Sequence, residues 1–208
     1  MREVGDRVDG GICVDFVGGA TGYRRRSGMS RRQTIARAVG LNRSGNLTVL
    51  DATGGLGRDA FLLACLGCRV TIVERSAVLG ALLRDGLRRA ALADEDELRD
   101  IIGRMELVID DTRRVLDGLH EATDVVYIDP MYPPSGRSAL AKREMRICRA
   151  LVGDDEDAGE LLSAARSFAL RRVVVKRHRR VPPLGPEPDH KYMGRTVRYD
   201  VYFAARTS

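Results

Sequence analysis

The chain has 208 residues, of which 44% are hydrophobic and 31% are charged, which suits one folded domain with a substantial core. No apolar run reaches the roughly 20 residues of a membrane-spanning helix, and the N-terminus lacks the apolar core of a signal peptide. Composition therefore excludes an integral membrane protein, and we expect a cytoplasmic protein. We expect residues 47–208 to form the main domain, with residues 1–46 as an extension packed on it.

The net charge of +6 and the pI of about 9.4 come from clustered arginines. Forked guanidinium donors suit phosphate, so the clusters favour nucleic acid as a partner, although each alone could be a solvated surface. The clusters are Arg24–Arg26, Arg31–Arg32, Lys142–Arg143 with Arg146 and Arg149, Arg171–Arg172, and Lys176–Arg180.

From residue 47 onward, short apolar runs alternate with segments of helical periodicity. This alternation predicts an α/β fold in which helices cover both faces of a parallel sheet. The predicted strands are Leu47–Leu50, Val70–Val73, Glu106–Ile109, Val125–Ile128, Val173–Lys176 and Val197–Ala204. The predicted helices are Thr34–Val39, Asp59–Leu66, Ala77–Ala91, Thr112–Leu119, Ser138–Leu151 and Ala158–Ala169.

The four cysteines include one C-x-x-C pair, Cys65 and Cys68. A zinc site would need a second pair or suitably spaced histidines, and the sequence has neither, so we expect no metal. The pair falls late in a predicted apolar helix, which favours buried thiols over a redox or metal site.

A glycine-rich turn follows the first predicted strand. Gly55 to Ala60 matches G-x-G-x-x-A, and Gly54, Gly55 and Gly57 are expected to let the backbone approach a ligand closely. Asp51, at the end of the strand, would repel the pyrophosphate of a dinucleotide. A carboxylate there suits the cationic amino-acid moiety of S-adenosylmethionine instead.

The next two predicted strands also end in acidic residues. Glu74 can accept hydrogen bonds from ribose hydroxyls, a role that several nucleoside cofactors share. Asp110 and Asp111 can accept from an adenine amino group, and Asp111 can also cap the helix that begins at Thr112.

The fourth predicted strand ends in Asp129-Pro130-Met131-Tyr132. Pro130 fixes a rigid turn, the Asp129 carboxylate and nearby backbone carbonyls can accept from an exocyclic amine, and Tyr132 can stack on a base. This segment predicts the substrate side of a methyl-transfer site, with Asp129, Pro130 and Tyr132 as the catalytic group.

Together, D-A-T-G-G-L-G-R-D, V-E-R and V-V-Y-I-D-P-M-Y-P, with the flanking V-D-F-V-G-G and R-V-V-V-K-R, resemble the bacterial 16S rRNA guanine-N2 methyltransferase J family. The resemblance runs from about Gly10 to Ala204. It implies a Rossmann-like class I methyltransferase fold with a seven-stranded, mostly parallel sheet and an antiparallel last strand. Its implied cofactor contacts are Arg58, Asp59, Glu74, Arg75, Asp111, Thr112 and Asp129, with Asp59 near the methionine ammonium.

The expected activity is methyl transfer from S-adenosylmethionine to the N2 amine of a guanosine near the 3′ end of 16S rRNA. The expected partner is that rRNA or the small ribosomal subunit. Three alternatives stay open: a nicotinamide-dependent oxidoreductase, a methyltransferase for another nucleic-acid amine, and a non-catalytic RNA-binding module.

Overall fold

The computed structural model describes residues 12–26, 28, 30–42, 46–118, 121–130 and 158–204. Its helices are α1 (Gly19–Arg26), α2 (Thr34–Val39), α3 (Arg58–Cys65), α4 (Ala77–Ala91), α5 (Asp96–Ile102), α6 (Thr112–Gly118) and α7 (Ala158–Phe168). Its strands are β1 (Thr48–Asp51), β2 (Arg69–Val73), β3 (Met105–Val108), β4 (Val125–Ile128), β5 (Arg172–His178), β6 (His190–Met193) and β7 (Val197–Phe203). The predicted helix Ser138–Leu151 lies outside the described residues.

The strands form one seven-stranded sheet in the order β3-β2-β1-β4-β5-β7-β6. Strands β1 to β5 pair in parallel, whereas β7 is antiparallel to both β5 and β6. The predicted fold class, a mostly parallel sheet with an antiparallel last strand, is confirmed. Because β2 and β4 flank β1 on opposite sides, the connections diverge there and open a crevice at the carboxyl ends of β1 and β4.

Side chains alternate between two cores, one on each face of the sheet. On β4, Val125 and Tyr127 enter the core beneath α2, α3 and α5, whereas Val126 and Ile128 enter the core beneath α6 and α7. All four are fully buried. Burial on both faces explains why the strand reads as an unbroken apolar run.

Residues before β1 complete the first of these cores. Phe16 stacks on Phe61 of α3 with ring centroids 4.8 Å apart, and Val14 and Ile35 are buried in the same cluster. Arg25 of α1 is also buried, and its Nη1 donates to Glu97 at 2.8 Å while Nη2 contacts Glu95.

Three elements were not predicted from the sequence: α1, α5 and β6. Helix α5 has only seven residues in a charged stretch, and packing of Leu98, Ile101 and Ile102 stabilises it. Strand β6 has four residues after a proline-rich stretch and depends on pairing with β7. Tertiary contacts decide such short elements, and local sequence patterns carry little of that information.

The thiols of the C-x-x-C pair are reduced and shielded. Cys65 is partly buried and Cys68 is fully buried, and desolvation raises the pKa of each to about 12. Both therefore stay protonated at neutral pH, as expected for core cysteines. Among the described residues, no cluster of three or more His, Cys, Asp or Glu side chains could hold a metal ion.

None of the helices in the described part of the chain is both long and apolar enough to cross a membrane.

Candidate active site

The carboxyl ends of three neighbouring strands bring acidic side chains to the crevice. Asp51 ends β1, Glu74 follows β2, and Asp129 follows β4, and these three strands are adjacent in the sheet. The backbone N–H of Asp129 donates to Thr53 Oγ1 at 2.7 Å, which ties the end of β4 to the turn after β1. The site predicted from the sequence is therefore assembled at one edge of the sheet.

Lys176, on β5, sits between two of the predicted site carboxylates. Its Nζ donates to Asp59 Oδ2 at 2.7 Å and to Asp129 Oδ2 at 2.8 Å, and the Tyr127 hydroxyl donates to Asp59 Oδ2 at 2.6 Å. Burial disfavours the ammonium, but the two carboxylates outweigh that cost and raise the pKa of Lys176 above its ordinary value. The lysine thus carries a stable positive charge that links Asp59 to Asp129.

Sequence reasoning placed Lys176 in a basic cluster for phosphate, and that assignment was wrong. The side chain is only 23% exposed and both of its carboxylate partners belong to the site. Parallel pairing of Ile128 with Val175 sets Lys176 level with Asp129. The sequence signal was a lysine directly after the buried run Val173–Val175. That signal does not identify the carboxylate partners of the lysine, because they depend on the strand order.

Asp51 is buried at 2% exposure. Desolvation raises its pKa to about 8; nearby Asp59 and Asp129 add to the shift, and the Thr53 N–H, which donates to Asp51 Oδ1 at 3.2 Å, opposes it. The Lys176 ammonium contacts Asp59 and Asp129 beside this buried carboxyl group. A cationic ligand would restore the balance and draw Asp51 into its ionised form.

Glu74 is buried, and two backbone donors fix it. Its Oε2 accepts from the Gly55 N–H at 2.6 Å and its Oε1 accepts from the Ser76 N–H at 2.7 Å. A carboxylate has about four acceptor positions, so these bonds orient the group and leave capacity for ribose hydroxyls.

The three glycines of the turn do different work, contrary to the expectation that all three admit a ligand. A Cβ at Gly54 would lie 2.6 Å from Ile72 Cγ2, and one at Gly57 would lie 2.7 Å from Leu83 Cδ1. These two glycines allow close packing inside the protein. Of the three, only Gly55, with φ of 55° and a Cβ position in ordinary contact with the Thr53 carbonyl oxygen at 3.8 Å, leaves room for a ligand.

The end of β3 is held by its own contacts. Asp111 Oδ1 accepts from the Arg113 N–H at 2.9 Å, which confirms the predicted helix cap, and the pairing with Arg113 lowers the pKa of Asp111. Thr112 is buried, and its hydroxyl donates to the Ala52 carbonyl at 2.7 Å. The Thr112 donor is thus committed to joining the ends of β3 and β1.

The remaining predicted site residues occupy the rim of the same edge. Arg58 and Arg75 are exposed at the start of α3 and after β2, and Pro130 is buried behind Asp129. Met131 and Tyr132 lie outside the described residues, so the predicted stacking role of Tyr132 stays a prediction.

A Rossmann-like sheet with a 3-2-1-4-5-7-6 strand order, a glycine turn after β1 and acidic strand ends defines a class I methyltransferase. The family model described as "Putative SAM-dependent methyltransferase" matches residues 1–204. The chain belongs to the ribosomal RNA small subunit methyltransferase J family, and it is a methyltransferase that uses S-adenosylmethionine.

Relatives cover most of the chain. Ribosomal RNA small subunit methyltransferase J of Thioalkalivibrio sulfidiphilus is 53% identical over 196 residues, which is 93% of this chain and 76% of the relative. The protein of that name in Rhodopseudomonas palustris strain CGA009 is 52% identical over 198 residues, which is 94% of this chain and 96% of the relative. The crystal structure of a SAM-dependent methyltransferase from Neisseria gonorrhoeae is 38% identical with a TM-score of 0.75, covering 100% of this chain and 79% of that chain.

The strand ends fit S-adenosylmethionine chemically. The cofactor carries an ammonium and a sulfonium, and the buried Asp51 carboxyl, whose pKa desolvation raises to about 8, would be stabilised in its ionised form by a cation beside it. A dinucleotide would instead place its pyrophosphate against this acidic edge, at a Coulombic cost. Family membership and the Coulombic cost of a pyrophosphate at this edge therefore both argue against a nicotinamide-dependent oxidoreductase.

Proposed function

We propose that this protein methylates the exocyclic N2 amine of a guanosine near the 3′ end of 16S rRNA, within the cytoplasm. The observation that carries the substrate side is the Asp129 carboxylate, 38% exposed at the mouth of the crevice and held at 2.8 Å by Lys176. Relatives named as small-subunit rRNA methyltransferases, at 52–53% identity, support ribosomal RNA as the substrate class.

Asp129 and the backbone beyond it act on the attacking amine. Hydrogen bonds from the N2 hydrogens to the carboxylate concentrate the lone pair on nitrogen and hold it in line with the methyl group, so proximity supplies much of the rate. When bound, S-adenosylmethionine supplies a methyl group activated by its sulfonium. The new N–C bond forms as the C–S bond breaks, and the amine's surplus proton passes to Asp129 or water.

Because base edges are hidden in duplex RNA, the target guanine must be unpaired or flipped out before its N2 reaches Asp129. Lys176 keeps Asp129 oriented for this nitrogen. We assign the adenosine and ribose side of the cofactor to Glu74, Arg75, Asp111 and Thr112.

We assign the methionine side of the cofactor to the residues of the glycine turn and its flanks. These residues are Asp51, Gly54, Gly55, Gly57, Arg58 and Asp59. Within this group Gly55 leaves room for the cofactor, whereas Gly54 and Gly57 shape the turn.

Cofactor binding is expected to release a proton near pH 7. Asp51, with a pKa of about 8 in the free protein, is mostly protonated there, and an adjacent ammonium lowers that pKa. Affinity for S-adenosylhomocysteine should therefore rise with pH between about 6 and 8, by up to tenfold per pH unit. Calorimetry in two buffers of different ionisation enthalpy measures the proton release directly.

Asp51→Asn is the control for that titration. It keeps the shape of the side chain and the titration of the ligand's own amine, which has an ordinary pKa of about 8. Proton release should fall to the ligand's own contribution in this variant. Equal proton release by the variant and wild type would refute the role of Asp51.

The proposed substrate is tested in cells. Nucleoside mass spectrometry of 16S rRNA should show one N2-methylguanosine that disappears when the protein is deleted and returns when it is supplied on a plasmid. An unchanged 16S profile with a methyl group lost from another nucleic acid would favour the alternative amine substrate.

A further inference from the structure

We infer that residues 179–182, which follow β5 and are called the arginine turn here, form a preorganised docking site for RNA phosphates beside the active site. The inference rests on the proposed function, since it names how that same site receives its substrate. Arg179 and Arg180 are exposed. Among the described residues, neither side chain forms an ion pair or a side-chain hydrogen bond.

Two buried arginines hold the backbone of the arginine turn in place. Arg198 Nη1 donates to the carbonyls of His178, Arg179 and Val181 at 3.4, 3.0 and 2.6 Å. Arg177 donates to the Pro182 carbonyl through Nε at 3.0 Å and through Nη2 at 2.6 Å. Five guanidinium contacts thus hold the carbonyls of four of the five residues 178–182.

Arg198 beneath the turn is paired with a buried carboxylate. Arg198 makes a two-point pair with Asp200, at 2.7 Å from Nε to Oδ1 and 3.0 Å from Nη2 to Oδ2, and Asp200 is fully buried. Arg177 and Arg198 are each 6% exposed. They therefore serve the fold, and the charge available to a ligand is that of Arg179 and Arg180.

The position of the turn relates it to the chemistry. Lys176 lies level with Asp129 in the parallel pairing of β4 and β5. Three further residues of extended chain advance about 10 Å along the strand, which places Arg179 beyond the mouth of the crevice. Arg179 N–H also donates to the Thr196 carbonyl at 3.1 Å, so exposed Arg195 in the β6–β7 turn is an immediate neighbour.

A fixed backbone at the arginine turn has a physical benefit. Less backbone freedom is lost when Arg179 and Arg180 meet a phosphate, so more of the electrostatic attraction appears as affinity. A flipped guanosine in the crevice would leave its flanking phosphates at the rim, where the arginine turn projects.

Arg31 and Arg32 provide a matched comparison. They are also adjacent, exposed arginines, but Arg31 Nη2 lies 3.6 Å from the Cβ position of Gly67, in the turn that precedes β2. That turn is at the amino-end edge of the sheet, opposite the site. Of these two arginine pairs, only Arg179 and Arg180 should therefore contact the substrate.

The test compares Arg179→Gln/Arg180→Gln with Arg31→Gln/Arg32→Gln, using undermodified small-subunit rRNA. The first variant should raise the KM for rRNA about tenfold and reduce the slope of log affinity against log salt by about 1.4 to 2. The second variant should match wild type, and calorimetric affinity for S-adenosylhomocysteine should be unchanged in both.

The outcomes separate this inference from the proposed function. If wild type methylates rRNA while the Arg179/Arg180 variant keeps wild-type KM and salt slope, the docking site is wrong and the function stands. An equal rise in the KM for rRNA in both double variants would also overturn the docking site, because it would show a diffuse effect of net charge. Absence of rRNA methylation by wild type would overturn both.

Discussion

Replacing Asp129 with alanine is expected to lower kcat for methyl transfer by about 100- to 1,000-fold, in the range found when one preorganised hydrogen-bonding group is removed from a reacting centre. The carboxylate orients the amine by accepting hydrogen bonds from its N–H groups. The cofactor contacts of Glu74 and the glycine turn remain in the variant. Single-turnover methylation with saturating rRNA measures the loss, and calorimetry with S-adenosylhomocysteine should show a much smaller change.

Asp110→Ala is the matched control for that experiment. Asp110 is another aspartate at the same edge of the sheet. Its carboxylate pairs with the highly exposed Arg114 at 3.5 Å and accepts from the Asp111 N–H at 2.7 Å. Its kcat should stay close to wild type. A kcat for Asp129→Ala as high as that of Asp110→Ala would refute the role of Asp129.

Replacing Lys176 with methionine is expected to be the second most damaging change. It removes an ammonium that contacts both Asp59 and Asp129 beside the buried Asp51. The expected loss of unfolding free energy is about 2 kcal/mol, less than the roughly 3–5 kcal/mol of a fully buried pair because Asp129 is partly solvated. We expect kcat/KM to fall about 100-fold, comparable to loss of an electrostatic contact at a reacting centre.

A pH profile separates positioning from mere destabilisation. Asp129 and Asp59 raise the pKa of Lys176, and by the same attraction the ammonium favours the ionised carboxylates. Without the ammonium, the ionised Asp129 that the reaction needs is reached only at higher pH. The acidic limb of the plot of kcat/KM against pH should therefore shift to higher pH in Lys176→Met. In Lys176→Arg it should return towards its wild-type position. A profile of unchanged shape, lowered uniformly, would show that Lys176 acts only on stability.

Lys191→Met supplies the control for stability. Lys191, on the edge strand β6, also pairs with an acidic side chain, but that partner, Glu187, precedes the strand and is 74% exposed. Loss of such a pair costs little, since exposed ion pairs contribute about 0–1 kcal/mol. Denaturant unfolding should distinguish the two variants.

The acidic strand ends were predictable because each follows an apolar run, and parallel strands deliver their carboxyl ends to one edge. That rule alone predicts that Asp51, Glu74 and Asp129 lie at the same edge of the sheet. The role of Lys176 was not predictable, because its partnership with Asp129 depends on β4 and β5 being neighbours in register. A run of basic residues looks alike whether its members are solvated or inserted between carboxylates.

The basic clusters show the same limit. Arg25 and Arg177 belong to predicted phosphate-binding clusters, yet both are buried in contacts within the protein. Likewise Gly54 and Gly57 fit a ligand-binding fingerprint but are required by Ile72 and Leu83. Sequence spacing identifies the turn, and only packing reveals which of its residues face a ligand.

The most direct measurement incubates the purified protein with methyl-labelled S-adenosylmethionine and undermodified 16S rRNA, then digests the RNA to nucleosides. The label should appear in N2-methylguanosine, at one position near the 3′ end, and Asp129→Ala should leave that nucleoside nearly unlabelled. Label in a different nucleoside, no label in rRNA, or full labelling by Asp129→Ala would contradict this account.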